Sequence, residues 1–175
     1  MRIVGGRWAG TDLTSPGGRV RPTGEALRVA YMELLGDAIR GARVLDLFSG
    51  TGALGLEALS RGAASVDFVE NGPPALHALK ANVARLPVRN RTRIFKRDAV
   101  PFVEALERDA YDVALADPPY ASRLPERIVR AWRAIPFAAV LVVEHAADRD
   151  PPRGGRTRTF GDSALTLYEA GGSRS

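Results

Sequence analysis

From residue 43 onward the apolar and polar positions alternate between two periods. VLDLF at 44–48 is a short, nearly continuous apolar run, and 53–60 follows at helical spacing. VDFVE at 66–70 repeats the first pattern, and 74–86 the second. TRIFK at 92–96 precedes a helix over 100–108. DVALAD at 112–117 precedes a helix over 125–134, and AVLVVEH at 139–145 is a fifth strand. A Pro/Gly/Arg-rich loop spans 148–155. Two further runs, 156–160 and 164–168, joined through Gly161-Asp162-Ser163, predict an antiparallel hairpin. Strands that alternate with helices, and that are apolar along their whole length, predict a mostly parallel sheet covered on both faces.

Residues 1–42 do not share this alternation. Residues 1–20 carry short β-like runs among Gly and Arg and predict a small hairpin or arm. Thr23 predicts an N-cap, with Glu25 in the first turn. Leu27, Ala30, Tyr31, Leu34 and Leu35 then fall at helical spacing, and Gly36 or Gly41 ends the helix. The expected division is an N-terminal extension at 1–42 and a domain at 43–175.

Composition narrows the chemistry. The 175 residues suffice for one domain with a sizeable core. There is no Cys, which excludes a disulfide scaffold, a cysteine nucleophile and a Cys-ligated zinc. His77 and His145 are the only histidines, so no metal is expected. No run is long enough to span a membrane and no secretory leader is evident, which makes the cytoplasm the expected location. The net charge is +5, carried by 23 Arg and 2 Lys. Arg suits phosphate and stacks on bases, so nucleic acid is a partner worth testing. A well-solvated basic surface would account for the same numbers.

Between the first strand and the first helix of the alternation lies Asp46-Leu-Phe48-Ser-Gly50-Thr-Gly52-Ala-Leu-Gly55, a GxGxxG loop. Gly50 and Gly52 allow close backbone approach to a ligand, and Gly55 lets the helix pack on the strand. Glu70 ends the second strand, where a carboxylate reaches ribose hydroxyls. These features alone serve NAD and S-adenosylmethionine (SAM) equally. Asp46 favours SAM, because a carboxylate at the loop entry suits a cationic methionine end and repels a pyrophosphate. A terminal antiparallel pair likewise belongs to class I methyltransferases, the Rossmann-like fold with a mostly parallel seven-stranded sheet. Asp98 and Ala99 follow the third strand, where a carboxylate and a backbone N–H can meet adenine. Asp98 could equally be a helix N-cap.

Asp117-Pro118-Pro119-Tyr120 ends the fourth strand, at the sheet edge where open α/β sheets bind ligands. The exocyclic amine of a base is a poor nucleophile, because its lone pair is spread into the ring. A carboxylate and a rigidly held carbonyl can accept its hydrogens, localise the lone pair and stabilise the charge that develops. Two prolines supply the rigidity. Tyr120 can stack on a flipped base.

With these motifs in hand the chain resembles the RsmD family of bacterial 16S rRNA guanine-N2 methyltransferases. The resemblance runs over nearly the whole length: RIVGG and Trp8, Arg21-Pro22-Thr23, residues 45–70, and ADPPY at 116–120. It implies a SAM-dependent methyltransferase that modifies one guanine of 16S rRNA in an assembled or assembling 30S subunit, and a monomer is expected. It assigns Asp46, Phe48, Gly50, Gly52, Glu70, Asn71, Asp98 and Ala99 to SAM, and Asp117, Pro118, Pro119 and Tyr120 to the amine. It places Arg21-Pro22-Thr23 near the active-site mouth. After that segment the chain departs from the family's usual D-R-V-R-E, reading Glu25-Ala26-Leu27-Arg28-Val29.

Basic residues cluster in the N-terminal arm (Arg2, Arg7, Arg19, Arg21, Arg28) and again over 85–97. The arm is expected to grip the RNA backbone, with Arg7, Arg19, Arg21 and Thr23 as contacts, and to steer the guanine toward Tyr120. Two other readings stay open: a DNA or other RNA amino-methyltransferase acting on adenine N6 or cytosine N4, and a non-catalytic rRNA-binding assembly factor.

Overall fold

The structure is a computed structural model, and it describes residues 1–16 and 23–171. Its centre is a seven-stranded sheet in the order β3-β2-β1-β4-β5-β7-β6. In chain order the elements are α1 (Glu25–Leu35), β1 (Arg43–Leu47), α2 (Ala53–Ser60), β2 (Ser65–Glu70), α3 (Pro73–Ala84), β3 (Thr92–Lys96), α4 (Ala99–Glu104), β4 (Tyr111–Ala116), α5 (Leu124–Ala134), β5 (Ala138–Ala146), β6 (Arg156–Phe160) and β7 (Ser163–Glu169). The first five strands pair in parallel, and β7 runs antiparallel to both β5 and β6. This is the expected class I methyltransferase architecture, with its closing antiparallel pair.

Alternation along each strand sends neighbours to opposite faces. Val44, Val66, Phe68, Val113 and Leu115 pack with α1, α2 and α3. Leu45, Leu47, Val69, Ala114 and Leu141 pack with α4 and α5 through Val100, Val103, Ile128 and Trp132. The arm does not stand apart: Ile3 and Leu13 are buried in the first of these clusters. Its two limbs meet at one bridge, Arg2 with Asp12, flanked by Ile3 N–H to Thr11 C=O at 3.0 Å and Leu13 N–H to Met1 C=O at 2.8 Å.

Of the boundaries that differ from expectation, those of α1 and α4 have a clear physical cause. The N-cap of α1 is Gly24 rather than Thr23, and no side chain caps it; the Thr23 hydroxyl is engaged elsewhere. Helix α4 stops at Glu104 instead of 108. The N–H groups of Ala105 and Leu106 close back three residues, and Asp109 then takes φ 58° to turn the chain into β4.

Strand β1 has β2 on one side and β4 on the other, so the crossovers from it diverge. The crevice beyond the carboxyl ends of β1 and β4 is where sheets of this kind receive ligands.

Candidate active site

A cavity of about 910 Å³ opens at that crevice. The loop after β1 supplies one wall. Phe48 holds φ 57°, a strained value for a residue with a side chain, and lines the cavity. Gly50 follows at φ 55° with open space where a side chain would stand, leaving its backbone free for a ligand to approach. Gly52 caps α2, its C=O receiving the Leu56 N–H at 2.9 Å. At Gly55 the constraint is contact: a Cβ there would lie 2.5 Å from the Phe68 ring and 2.9 Å from Asp46 Oδ2. A bare helix backbone is what lets α2 sit against β1 and β2.

Carboxylates line the floor. Glu70 Oε2 accepts the Gly50 N–H at 2.7 Å, and Oε1 accepts the Asn71 and Gly72 N–H groups at 3.0 and 2.8 Å. Glu70 therefore ties the glycine loop to the end of β2. Asn71 donates to Asp98. Asp98 occupies the N-cap position of α4 but makes no side-chain cap bond, so its carboxylate faces Asn71 rather than its own helix. Ala99 is the buried first residue of α4.

Asp46 is 1% exposed and accepts the Gly55 N–H at 3.0 Å. Burial pushes its carboxyl up to about 8, with the nearby charges of Asp117 and Glu70 adding to the effect against that hydrogen bond. It is an acid poised between forms at the entrance of the glycine loop.

Asp117 to Tyr120 lie together on the cavity wall, and the Thr23 hydroxyl donates to Asp117 Oδ2. Thr23 is thus brought to the chemical motif, as the resemblance implies. The Tyr120 phenol donates to Glu144 Oε1 at 2.8 Å and meets Ser163, while 42% of the residue stays exposed. Glu144 and Ser163, with Phe160 and Gly161 beside them on the wall, were not expected in the site. One signal was available, a Glu near the carboxyl end of a parallel strand. Its neighbour across the sheet could not be known without the strand order.

The basic arm residues fall differently. Arg7 N–H donates to Ser60 C=O at the end of α2, and its guanidinium lies over Trp8. That end of α2 leads into the start of β2, whereas Asp117 follows the carboxyl end of β4. Arg28 is fully buried, donating to the carbonyls of Thr23 and Arg2 and lying 3.9 Å from Glu57. It holds the fold and offers nothing to a phosphate. Arg19 and Arg21 lie outside the described residues.

The cavity fits SAM on its own features. An open glycine turn can receive the ligand's polar end, the Glu70 carboxylate stands where hydroxyls could donate, and Asp46 is an acid at the cavity that a cation could meet.

Comparison with known proteins agrees. The family described as Conserved hypothetical protein 95 matches residues 1–169. Ribosomal RNA small subunit methyltransferase D of Escherichia coli K12 is 36% identical over 183 residues, covering 97% of this chain and 89% of its own. This chain belongs to the RsmD family. The structure of "Putative methyltransferase yhhF" from Escherichia coli superposes with a TM-score of 0.83 at 31% identity, covering 97% of both chains. A hypothetical protein of Thermus thermophilus superposes with a TM-score of 0.80 at 33% identity, covering 97% of this chain and 99% of that one. Among the described residues no helix is long and apolar enough to cross a membrane.

Proposed function

We propose that this RsmD-family protein is a SAM-dependent methyltransferase that modifies the N2 amine of a guanine in 16S rRNA, within an assembled or assembling 30S subunit. The observation that carries the reading is the joining of Asp117, Pro118 and Tyr120 to the glycine loop and Glu70 along one cavity. The E. coli relative's name specifies small-subunit rRNA.

When bound, SAM supplies a methyl group on a sulfonium sulfur that keeps the C–S bonding pair as the methyl leaves. Asp117 and the Pro118 carbonyl accept the two amine hydrogens, which turns the nitrogen lone pair toward the methyl carbon. As the N–C bond forms, the nitrogen becomes cationic and sheds one proton to Asp117, which passes it to solvent. Tyr120 lies on the cavity wall, where its ring would meet the extruded base. Glu70 and Asp46 would hold the donor's hydroxyl and cationic ends.

The test is transfer of labelled methyl from SAM to 30S subunits that lack the modification, with mapping of the product base. N2-methylguanine formed by the wild-type protein and lost by about 100-fold or more in Asp117→Ala, with SAM affinity kept, supports the reading. Methylation of duplex DNA in preference to 30S subunits overturns it.

A further inference from the structure

Glu144 is the one acid of the cavity that the mechanism above leaves without work. It follows Val143, which pairs with Ala116, so the parallel register sets Glu144 beside Asp117 at the ends of β5 and β4. Glu144 is 4% exposed. Oε1 takes the Tyr120 phenol, but Oε2 is buried and, among the described residues, meets no N–H or O–H donor. The side chain beside it across the strands, on the same cavity wall, is the Asp117 carboxyl. Two ionised carboxylates cannot share that contact, whereas one proton between them turns repulsion into a hydrogen bond. Among the described residues the other groups facing Glu144 are Tyr120, Ser163 and the buried Tyr31 phenol of α1, and none of these is a cation.

We propose that Glu144 is a positioning residue for methyl transfer: as a neutral acid it donates to Asp117 and fixes the oxygen that receives the substrate amine. The proposal rests on the methylation reading above. Asp117 is then held from two sides, by the Thr23 hydroxyl on Oδ2 and by Glu144, and it keeps lone pairs free for the amine. Burial, and next the Asp117 charge, raise the Glu144 carboxyl above the ordinary range, which keeps the proton in place near neutral pH. At higher pH Glu144 ionises, the bond becomes a repulsion, and turnover falls. Gln reproduces the neutral acid, with an amide N–H toward Asp117 and a carbonyl for Tyr120.

The experiment compares wild type, Glu144→Gln and Glu144→Ala for turnover on unmethylated 30S subunits across pH 6–9.5, SAM affinity by calorimetry, and the infrared band of protonated carboxyl groups. Glu144→Gln should keep turnover within about threefold, lose the Glu144 contribution to the alkaline fall, and lose one protonated-carboxyl band. Glu144→Ala should lose about tenfold in turnover, one hydrogen bond's worth, with SAM affinity within about twofold. Asp46, the other raised acid, titrates in all three proteins, so the Glu144 contribution is the difference between profiles. The proposal is overturned if Glu144→Gln is as slow as Glu144→Ala, which would mean that an ionised carboxylate is required. It is equally overturned if the wild-type and Gln profiles superpose with no band lost. A wild-type protein that transfers no methyl to 30S subunits overturns the methylation reading itself, while the carboxyl band still decides whether Glu144 carries the proton.

Discussion

Thr23 and Asp117 are separated by 94 positions, yet the Thr23 hydroxyl donates directly to Asp117 Oδ2. The Thr23 carbonyl is in turn clamped by the buried Arg28 guanidinium at 2.7 Å, and Arg28 lies against Glu57 of α2. The segment just before α1 is thereby fastened to the chemical motif by one hydroxyl and to the core by one cation.

Removing that hydroxyl should be felt at the chemical step. Thr23→Val keeps shape and deletes the donor, so Asp117 loses a fixed orientation. Turnover on 30S subunits should fall about tenfold, the equivalent of one hydrogen bond to a charged group. SAM affinity should stay unchanged, and Thr23→Ser should restore most of the rate. Single-turnover methylation assays separate the three proteins.

Arg28→Met should destabilise the protein by about 3 kcal/mol. The substitution fills the space but leaves Glu57 without one partner and strips donors from the Thr23 and Arg2 carbonyls. Glu57 also accepts the Val4 and Gly5 N–H groups at 2.9 and 2.8 Å, so the arm should loosen first. Hydrogen exchange at residues 3–13 during thermal melting is the check, and protection equal to wild type would exclude this role.

Glu70→Ala should weaken SAM binding by about tenfold or more. The side chain holds three backbone N–H groups of the glycine loop and its neighbour, and in the proposed function it would accept from the ribose. Glu70→Gln retains an acceptor and should fall between. Calorimetric titration with SAM decides it.

In the proposed function Asp46 should link SAM binding to pH. A cation favours the ionised carboxylate, so SAM should bind more tightly as pH rises through about 8, and binding below that pH should release a proton. Calorimetry in buffers of different ionisation enthalpy counts that proton. The same raised acid affects stability with the opposite sense. Its folded-state value lies above its unfolded one, so its stabilising contribution is complete below the unfolded value and is lost as pH rises through about 8. Asp46→Asn, which can still accept the Gly55 N–H, should therefore raise the melting temperature at pH 8.5 by about 3 °C or more and bind SAM poorly.

The strands, the glycine loop and the DPPY turn were legible in the linear chain because each is local. A buried parallel strand is apolar along its whole length, a βα turn of this kind needs Gly within a few residues, and the acid that ends β2 lies 20 positions after Gly50. Chain order alone thus determined the fold class and the sheet edge that bears the candidate site. The tertiary structure decided which side chains meet there. Register between β4 and β5 set Glu144 beside Asp117, and the closing hairpin brought Ser163 to Tyr120. Burial turned Arg28 from a surface charge into an anchor, and Thr23 from a helix cap into a donor for Asp117. The charge state of Asp46 was decided in the same way. Desolvation and contact across the sheet depend on residues distant in sequence, and no local period encodes them.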